Sequence, residues 1–292
     1  MYKMEWLILV LLAALFFGAR QVVAKKVLMF EHATEYLTVT CSVAFLFSLF
    51  FLPKMSFDYP AMTWFLMYVK ALSLTVGWIL GSKALRHLEI SLVTPLTNLT
   101  PIFLLVLSFF ILHEVPSLMQ YIGVALLIFG AYWLQADHHL SSLLRPWKAF
   151  NNKHSIFMLV AIFFYSVCAI IDKVVLKTVD PYTFLSFTFF ILSVHYLIIQ
   201  FIKYDGLKDI KHAFQKGKYL IFIVALLMIF SDVFYYMAVA IPGAMISLII
   251  PIKRLSTLVA TIVGGRLFHD HNLMQRFAAA IIMVVGVILV VI

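Results

Sequence analysis

Ten apolar stretches follow one another along this chain, at about residues 5–23, 33–53, 61–82, 88–111, 117–135, 155–172, 181–202, 219–240, 244–263 and 273–291. Each is close to the ~20 residues that cross a hydrocarbon layer at 1.5 Å per residue. Of 292 residues, 64% are hydrophobic and only 12% are charged, which leaves too little polar surface for a soluble chain of this size. The first stretch starts like a signal peptide, but no small-x-small cleavage site follows and further spans do, so it reads as the first transmembrane helix. The sequence predicts an all-α, polytopic membrane protein with ten transmembrane helices.

The links are too short to hold a soluble catalytic domain. The longest, 136–154, carries Arg145, Pro146 and Lys148 and reads as a connector between residues 1–135 and residues 155–292. Tyr204 to Lys218 carries Lys208, Lys211, Lys216 and Lys218 with Asp205 and Asp209, the pattern of a short amphipathic surface helix. The net charge of +9 comes mostly from such flanks, which points to membrane topology and not to nucleic acid. Cys41 and Cys168 both fall in apolar runs without metal or disulfide spacing. His113, His269 and His271 sit at loops, and no nucleophile–base pattern is present, so the sequence predicts no enzyme, no metal and no cofactor.

The two parts repeat each other. Ser91-Leu-Val-Thr-Pro95 is echoed by Ser247-Leu-Ile-Ile-Pro251, Leu99-Thr100 by Leu255-Ser256, and Glu114 by Asp270. Leu118-Met-Gln120 matches Leu273-Met-Gln275, and Val22-Val-Ala-Lys25 matches Val174-Val-Leu-Lys177. Five helices per part is an odd number, so the second part enters the membrane from the opposite side. The expectation is an inverted repeat of five plus five helices, with a site near the midplane where the repeats meet.

These repeat endings, Ser-x-x-x-Pro then an apolar helix, an acidic residue and a glycine-containing helix, resemble the EamA-type branch of the drug/metabolite transporter superfamily. The resemblance implies a ten-helix bundle around a central cavity. That cavity is lined mainly by the third, fourth, eighth and ninth helices, with contributions from the first and sixth. It also implies secondary transport without ATP. The adjacent Lys253-Arg254 in the ninth stretch is also similar to the triose-phosphate and nucleotide-sugar translocator branch, where such a pair meets phosphate.

Lys253 and Arg254 stand near the centre of an apolar run with no acid in it. Basic residues at that depth mark a site by default. Arg clamps an oxyanion with two parallel hydrogen bonds and Lys acts as a point charge, so the pair suits phosphate or carboxylate. An ion-pair network is the alternative. Their counterparts in the first part are Thr97 and Asn98. Lys70 lies midway along the third stretch and Asp232 is the acid inside the eighth. Asp232 is expected to pair with Lys70 or Lys253, or to relay a coupling proton or cation. Tyr68, Trp78, Tyr165, Tyr235 and Tyr236 are candidate lining residues, Tyr68 and Tyr235 foremost. Pro95 and Pro251 each free a carbonyl one turn back and are expected to kink a gating helix. Arg20 and Asp172 hold equivalent places near the ends of the first and sixth stretches, which reads as interfacial. Glu114 and Asp270 read as N-caps of the helices that follow them. Small residues on the fifth and tenth stretches (Gly123, Gly130, Ala279, Gly286) suit packing between halves, or between protomers of a homodimer.

Basic residues concentrate in the odd-numbered loops, which places both termini outside by the positive-inside rule, whereas the family habit is both inside. The reading that results is a multi-pass protein of the inner or plasma membrane. It carries a small polar metabolite, anionic or zwitterionic, by alternating access. An exporter of amino acids or of amphiphilic or cationic compounds is the alternative within transport. A non-transporting membrane scaffold is the alternative outside it.

Overall fold

The computed structural model describes residues 2–28, 32–87, 96–97, 99–135, 153–260 and 273–292. The described residues are helical, with no strand among them. In the first part, α1 (Tyr2–Leu28), α2 (Ala33–Ser48), α3 (Ala61–His87), α4 (Thr100–Leu112) and α5 (Leu118–Gln135) follow in order, with a 3-10 turn at Leu49–Lys54. The second part holds α6 (Lys153–Val175), α7 (Pro181–Lys203), α8 (Leu207–Ala240), α9 (Ile246–Lys253) and α10 (Leu273–Val291). Six segments are long and apolar enough to cross a membrane: Glu5–Ala24, Thr34–Lys54, Ala61–Gly81, Lys153–Val175, Pro181–Lys203 and Tyr219–Ala240. Thr100–Leu112, Leu118–Leu134 and Phe277–Val291 are apolar but shorter.

The packing exchanges the two parts. α1 lies against α8, and its image α6 lies against α3; α2 meets α8, and α7 meets α3. α1 touches α9 as α6 touches α4, while α2 with α7, α4 with α9 and α5 with α10 pair with their own counterparts. The α5–α10 seam is built on glycine. A Cβ on Gly123 would lie 2.7 Å from the Gly286 carbonyl oxygen, and one on Gly286 would lie 2.8 Å from that of Gly123. Backbones this close admit no side chain between them, so the small faces of the fifth and tenth helices are occupied within one chain.

Both broken-helix positions repeat as well. α9 ends at Lys253, turns at Arg254 and Leu255, and helix resumes over 256–260. Through the break the bonds span three residues: Leu255 N–H donates to Ile252 (2.9 Å) and Leu258 N–H to Leu255 (3.0 Å). In the first part Leu99 N–H donates to Leu96 (3.0 Å) and Ile102 N–H to Leu99 (2.9 Å). The Thr257 and Thr100 hydroxyls bond back to the Arg254 and Thr97 carbonyls. The sequence expectation is a helix kinked by each proline. In the second part the helix breaks just after Pro251, at the basic residues, where the ladder tightens to 3-10 bonding. Pro95 lies outside the described residues.

Two further expectations are corrected. The basic stretch after Tyr204 is not a separate surface helix. From Leu207 it runs without interruption into the apolar part of α8, because Ala213 and Gly217 on its inner side are buried and nothing breaks the ladder. Glu114 does not cap the helix that follows it. Ser117 and Gln120 do that reciprocally: Ser117 N–H donates to the Gln120 side-chain oxygen (2.9 Å) and Gln120 N–H to the Ser117 hydroxyl (3.3 Å). Glu114 instead accepts from the N–H groups of Ile246 (2.9 Å) and Ser247 (3.0 Å) and from the Ser247 hydroxyl, at the start of α9. Asp270, its repeat partner, lies outside the described residues.

Asp180 fastens the segment before α3 to the start of α7. Its carboxylate accepts from the N–H groups of Tyr182 and Thr183, from the Thr183 hydroxyl, and from Tyr59 Oη at 2.8 Å. Burial pushes its pKa up, but the hydrogen bonds from Thr183, Tyr59 and Ser56 outweigh burial and hold it below the usual carboxylate range. A lowered folded value means stability that is present above the unfolded pKa and is lost as pH falls through the folded one. Asp180→Asn is therefore expected to lower the Tm at pH 7, with the gap to wild type closing as pH falls below about 4. A gap that stays constant from pH 7 to pH 3 would contradict the assignment.

Candidate functional site

Helix packing gathers three cations and two acids, of which Lys70 and Asp172 are buried and Lys253, Arg254 and Asp232 partly so. Lys70 reaches across from α3 and is 1% exposed. Its Nζ donates to Tyr236 Oη (2.7 Å) and Thr188 Oγ1 (3.3 Å), lies 3.6 Å from Asp172 Oδ1, and sits over the rings of Phe184 and Tyr236 at 4.8 and 5.1 Å. Asp172 Oδ2 also accepts from Tyr235 Oη at 3.1 Å. The side chains of this pair are 2% and 6% exposed, so it is sealed.

A second pair stands at the end of α9. Lys253 Nζ lies 3.8 Å from Asp232 Oδ1, beyond hydrogen-bond distance. Their side chains are 15% and 19% exposed. The same ammonium lies 4.0 Å from the Tyr235 ring centroid and 5.1 Å from that of Phe17. Tyr235 thus touches both pairs, one with its hydroxyl and the other with its ring. Arg254 follows in the turn, half-buried, with no carboxylate at ion-pair distance among the described residues. One loose, solvent-reachable pair at a helix break next to a guanidinium suits an exchangeable anion. A sealed pair, its lysine bonded to Tyr236 and Thr188 and its carboxylate to Tyr235, does not.

The surroundings are aromatic and closely packed. Tyr165 on α6 donates its hydroxyl to the Gly77 carbonyl (3.0 Å), and a Cβ at Gly77 or Gly81 would meet its ring or hydroxyl within 2.8 Å. Phe16 stacks on Phe230 and Phe234 at 5.3 and 5.7 Å.

Of the residues singled out in the sequence, Lys253, Asp232, Tyr235 and Lys70 are brought together, with Arg254 beside them. Tyr68 is not brought there. It is 41% exposed on the same outward face of α3 as Phe65 and Leu72, with its ring against His195 at 5.8 Å. Thr97 is half-buried at the equivalent break in the first part, and Asn98 lies outside the described residues. Pro251 is buried within α9. Asp172 corrects the interfacial expectation: it is 4% exposed, because the chain after it turns inward through buried Leu176 and Val179. Lys173 beside it caps α8, donating to the carbonyls of Val239 (2.8 Å) and Ile241 (3.3 Å). Tyr236, a candidate lining residue, joins the cluster at Lys70, and Thr188 and Phe17 enter it without an individual signal in the sequence. Opposite charges at the repeat-equivalent positions 20 and 172 were the available clue to Asp172.

The sequence pattern of the EamA-like transporter family matches residues 4–135 and again residues 152–292. No curated protein sequence matches the chain. Among solved structures, one crystal structure superposes with a TM-score of 0.73 at 11% identity, over 96% of this chain and 94% of that one. At that identity the likeness speaks for the fold alone.

Proposed function

The chain belongs to the EamA-like transporter family, and on that premise we propose that it is a secondary carrier of a small anionic metabolite. It is an integral membrane protein of a transporter family. The proposal adds ten spans arranged as an inverted repeat, 1–135 and 155–292 joined by 136–154, and alternating access through the space where the repeats meet. The exchanged packing of the two parts and the matching helix breaks support that arrangement.

The observation that carries the substrate reading is the loose Lys253–Asp232 pair beside Arg254 at the break in the ninth helix. In the empty carrier Asp232 acts as the counter-ion of Lys253. An exchangeable, partly hydrated ion pair contributes only about 0–1 kcal/mol. An incoming carboxylate or phosphate therefore displaces Asp232 at small cost and gains Lys253 as a point charge and Arg254 as a bidentate donor. Lys70 takes a different part from the one its depth suggests. It holds Asp172 and, through Tyr235, sets the floor under Lys253, and does not meet substrate. Asp232, released when substrate binds, is the group through which a proton or cation would be coupled. Binding energy that differs between the two faces then shifts the population of outward and inward states.

The test is thermal stabilisation of the purified protein by phosphorylated, carboxylated, zwitterionic and cationic metabolites, followed by liposome flux with the class that binds. A ligand specific for the folded state stabilises it by mass action, by about 2.7 kcal/mol at a hundredfold excess over Kd, and so raises Tm. Stabilisation by one anion class, lost in Lys253→Ala and Arg254→Ala, is the expected result. Stabilisation by cationic or aromatic amines that survives both substitutions would transfer the reading to an exporter of amphiphilic compounds.

A further inference from the structure

Arg20 has no part in the site as described so far, and its surroundings give it one. Its guanidinium carbon lies 4.7 Å from the Phe17 ring centroid, and Lys253 Nζ lies 5.1 Å from the same centroid, so the two charges are less than about 10 Å apart. The backbone of α1 is pressed onto the helix break here: a Cβ on Gly18 would fall 2.6 Å from the Ser256 carbonyl oxygen and 2.7 Å from Val259 Cβ. Arg20 Nε is buried and has no hydrogen-bond partner among the described residues. A buried donor left without an acceptor is costly, and a charge at membrane depth more so.

We infer that Arg20 is a specificity-determining residue of the carrier site, and that it makes the site favour an anion with two negative charges over one with a single charge. This rests on the anion-carrier reading. Lys70 and Asp172 cancel in their sealed pair and Lys253 is answered by Asp232, which leaves the charges of Arg20, on the same Phe17 ring as Lys253, and of Arg254, next to it in the chain. The described residues at the break thus carry an excess of two positive charges. The Phe17 ring, in cation–π range of both Arg20 and Lys253, offsets part of their mutual repulsion in the empty site. A dicarboxylate or a phosphate monoester matches that excess, and a monocarboxylate leaves half of it unanswered.

The experiment uses the full chain in detergent at fixed ionic strength and pH 8. Succinate and butyrate serve as probes of equal carbon length that differ by one carboxylate, and inorganic phosphate serves as a dianion of other chemistry. Dissociation constants come from the concentration dependence of Tm. Wild type is expected to favour succinate and phosphate over butyrate. Removing one unit charge at roughly 10 Å in an effective dielectric near 20 lowers the succinate-to-butyrate preference about tenfold in Arg20→Gln, while Arg20→Lys keeps it. Asp232→Asn shifts the preference the opposite way. Should Arg20→Gln not fold, Arg20→Met, which keeps the apolar stem and removes the charge, is expected to lower the preference alike. Equal weakening of all three probes in Arg20→Gln, or no change in their ratio, overturns the inference and leaves the anion carrier standing. Absence of stabilisation by any probe in wild type removes both.

Discussion

Lys70→Ala is expected to lower the stability of the protein by about 3–5 kcal/mol, because it leaves a buried carboxylate without its counter-charge. Among the described residues Lys70 is the one cation at ion-pair distance from Asp172, and it also donates to Tyr236 and Thr188. After truncation Asp172 retains the Tyr235 hydroxyl alone. Asp172→Asn in the same chain is expected to restore most of the loss, since a neutral amide needs no counter-charge. Lys253→Ala supplies the comparison: its pair is longer and partly solvated, so about 1 kcal/mol or less is expected. Melting of the three variants and wild type in detergent decides the matter. Equal losses for Lys70→Ala and Lys253→Ala would erase the distinction between a sealed structural pair and an exchangeable one. Both pairs would then have to be treated alike in the transport cycle.

The repeat was legible because its signal sits in polar and proline residues, which stand out against apolar helices. Leu99 and Leu255, aligned by sequence, do open equivalent turns. The location of the break was not legible. Proline marks where an N–H is missing, but the ladder tightens where the next residues find three-residue bonds, and Arg254 and Leu255 find them. Lys253 and Asp232 were recognisable by depth along their stretches. Asp172 was not, since position along a helix predicts depth only if the following loop leaves the protein, and this one folds inward. Tyr68 shows the converse: a central position on α3 says nothing about which face it occupies when every face is apolar. Partners from distant helices, such as Glu114 with the start of α9, have no local spacing to read.

Glu114→Ala is the second large effect, about 3 kcal/mol, from two backbone N–H groups and one hydroxyl that lose a charged acceptor. Ile246, Ser247, Leu248 and Ile249 are buried, so water does not readily replace the carboxylate. Glu114→Gln keeps one acceptor oxygen and is expected to lose about half as much. Ser117→Ala, which touches only the cap of α5, should cost about 1 kcal/mol. The effect is not confined to stability. Lys253 stands seven residues along the same helix, roughly 10 Å from the cap, and α9 has just eight residues to hold it. With its first turn released, the helix loses the fixed end that sets where Lys253 and Arg254 stand. Anion-dependent stabilisation should therefore weaken in Glu114→Ala even though no residue at the break has changed. The carboxylate sits between α4 and α5 of the first part and grips the start of α9 in the second. A Tm and an anion affinity both unchanged in Glu114→Ala would show that the start of α9 is held by packing alone.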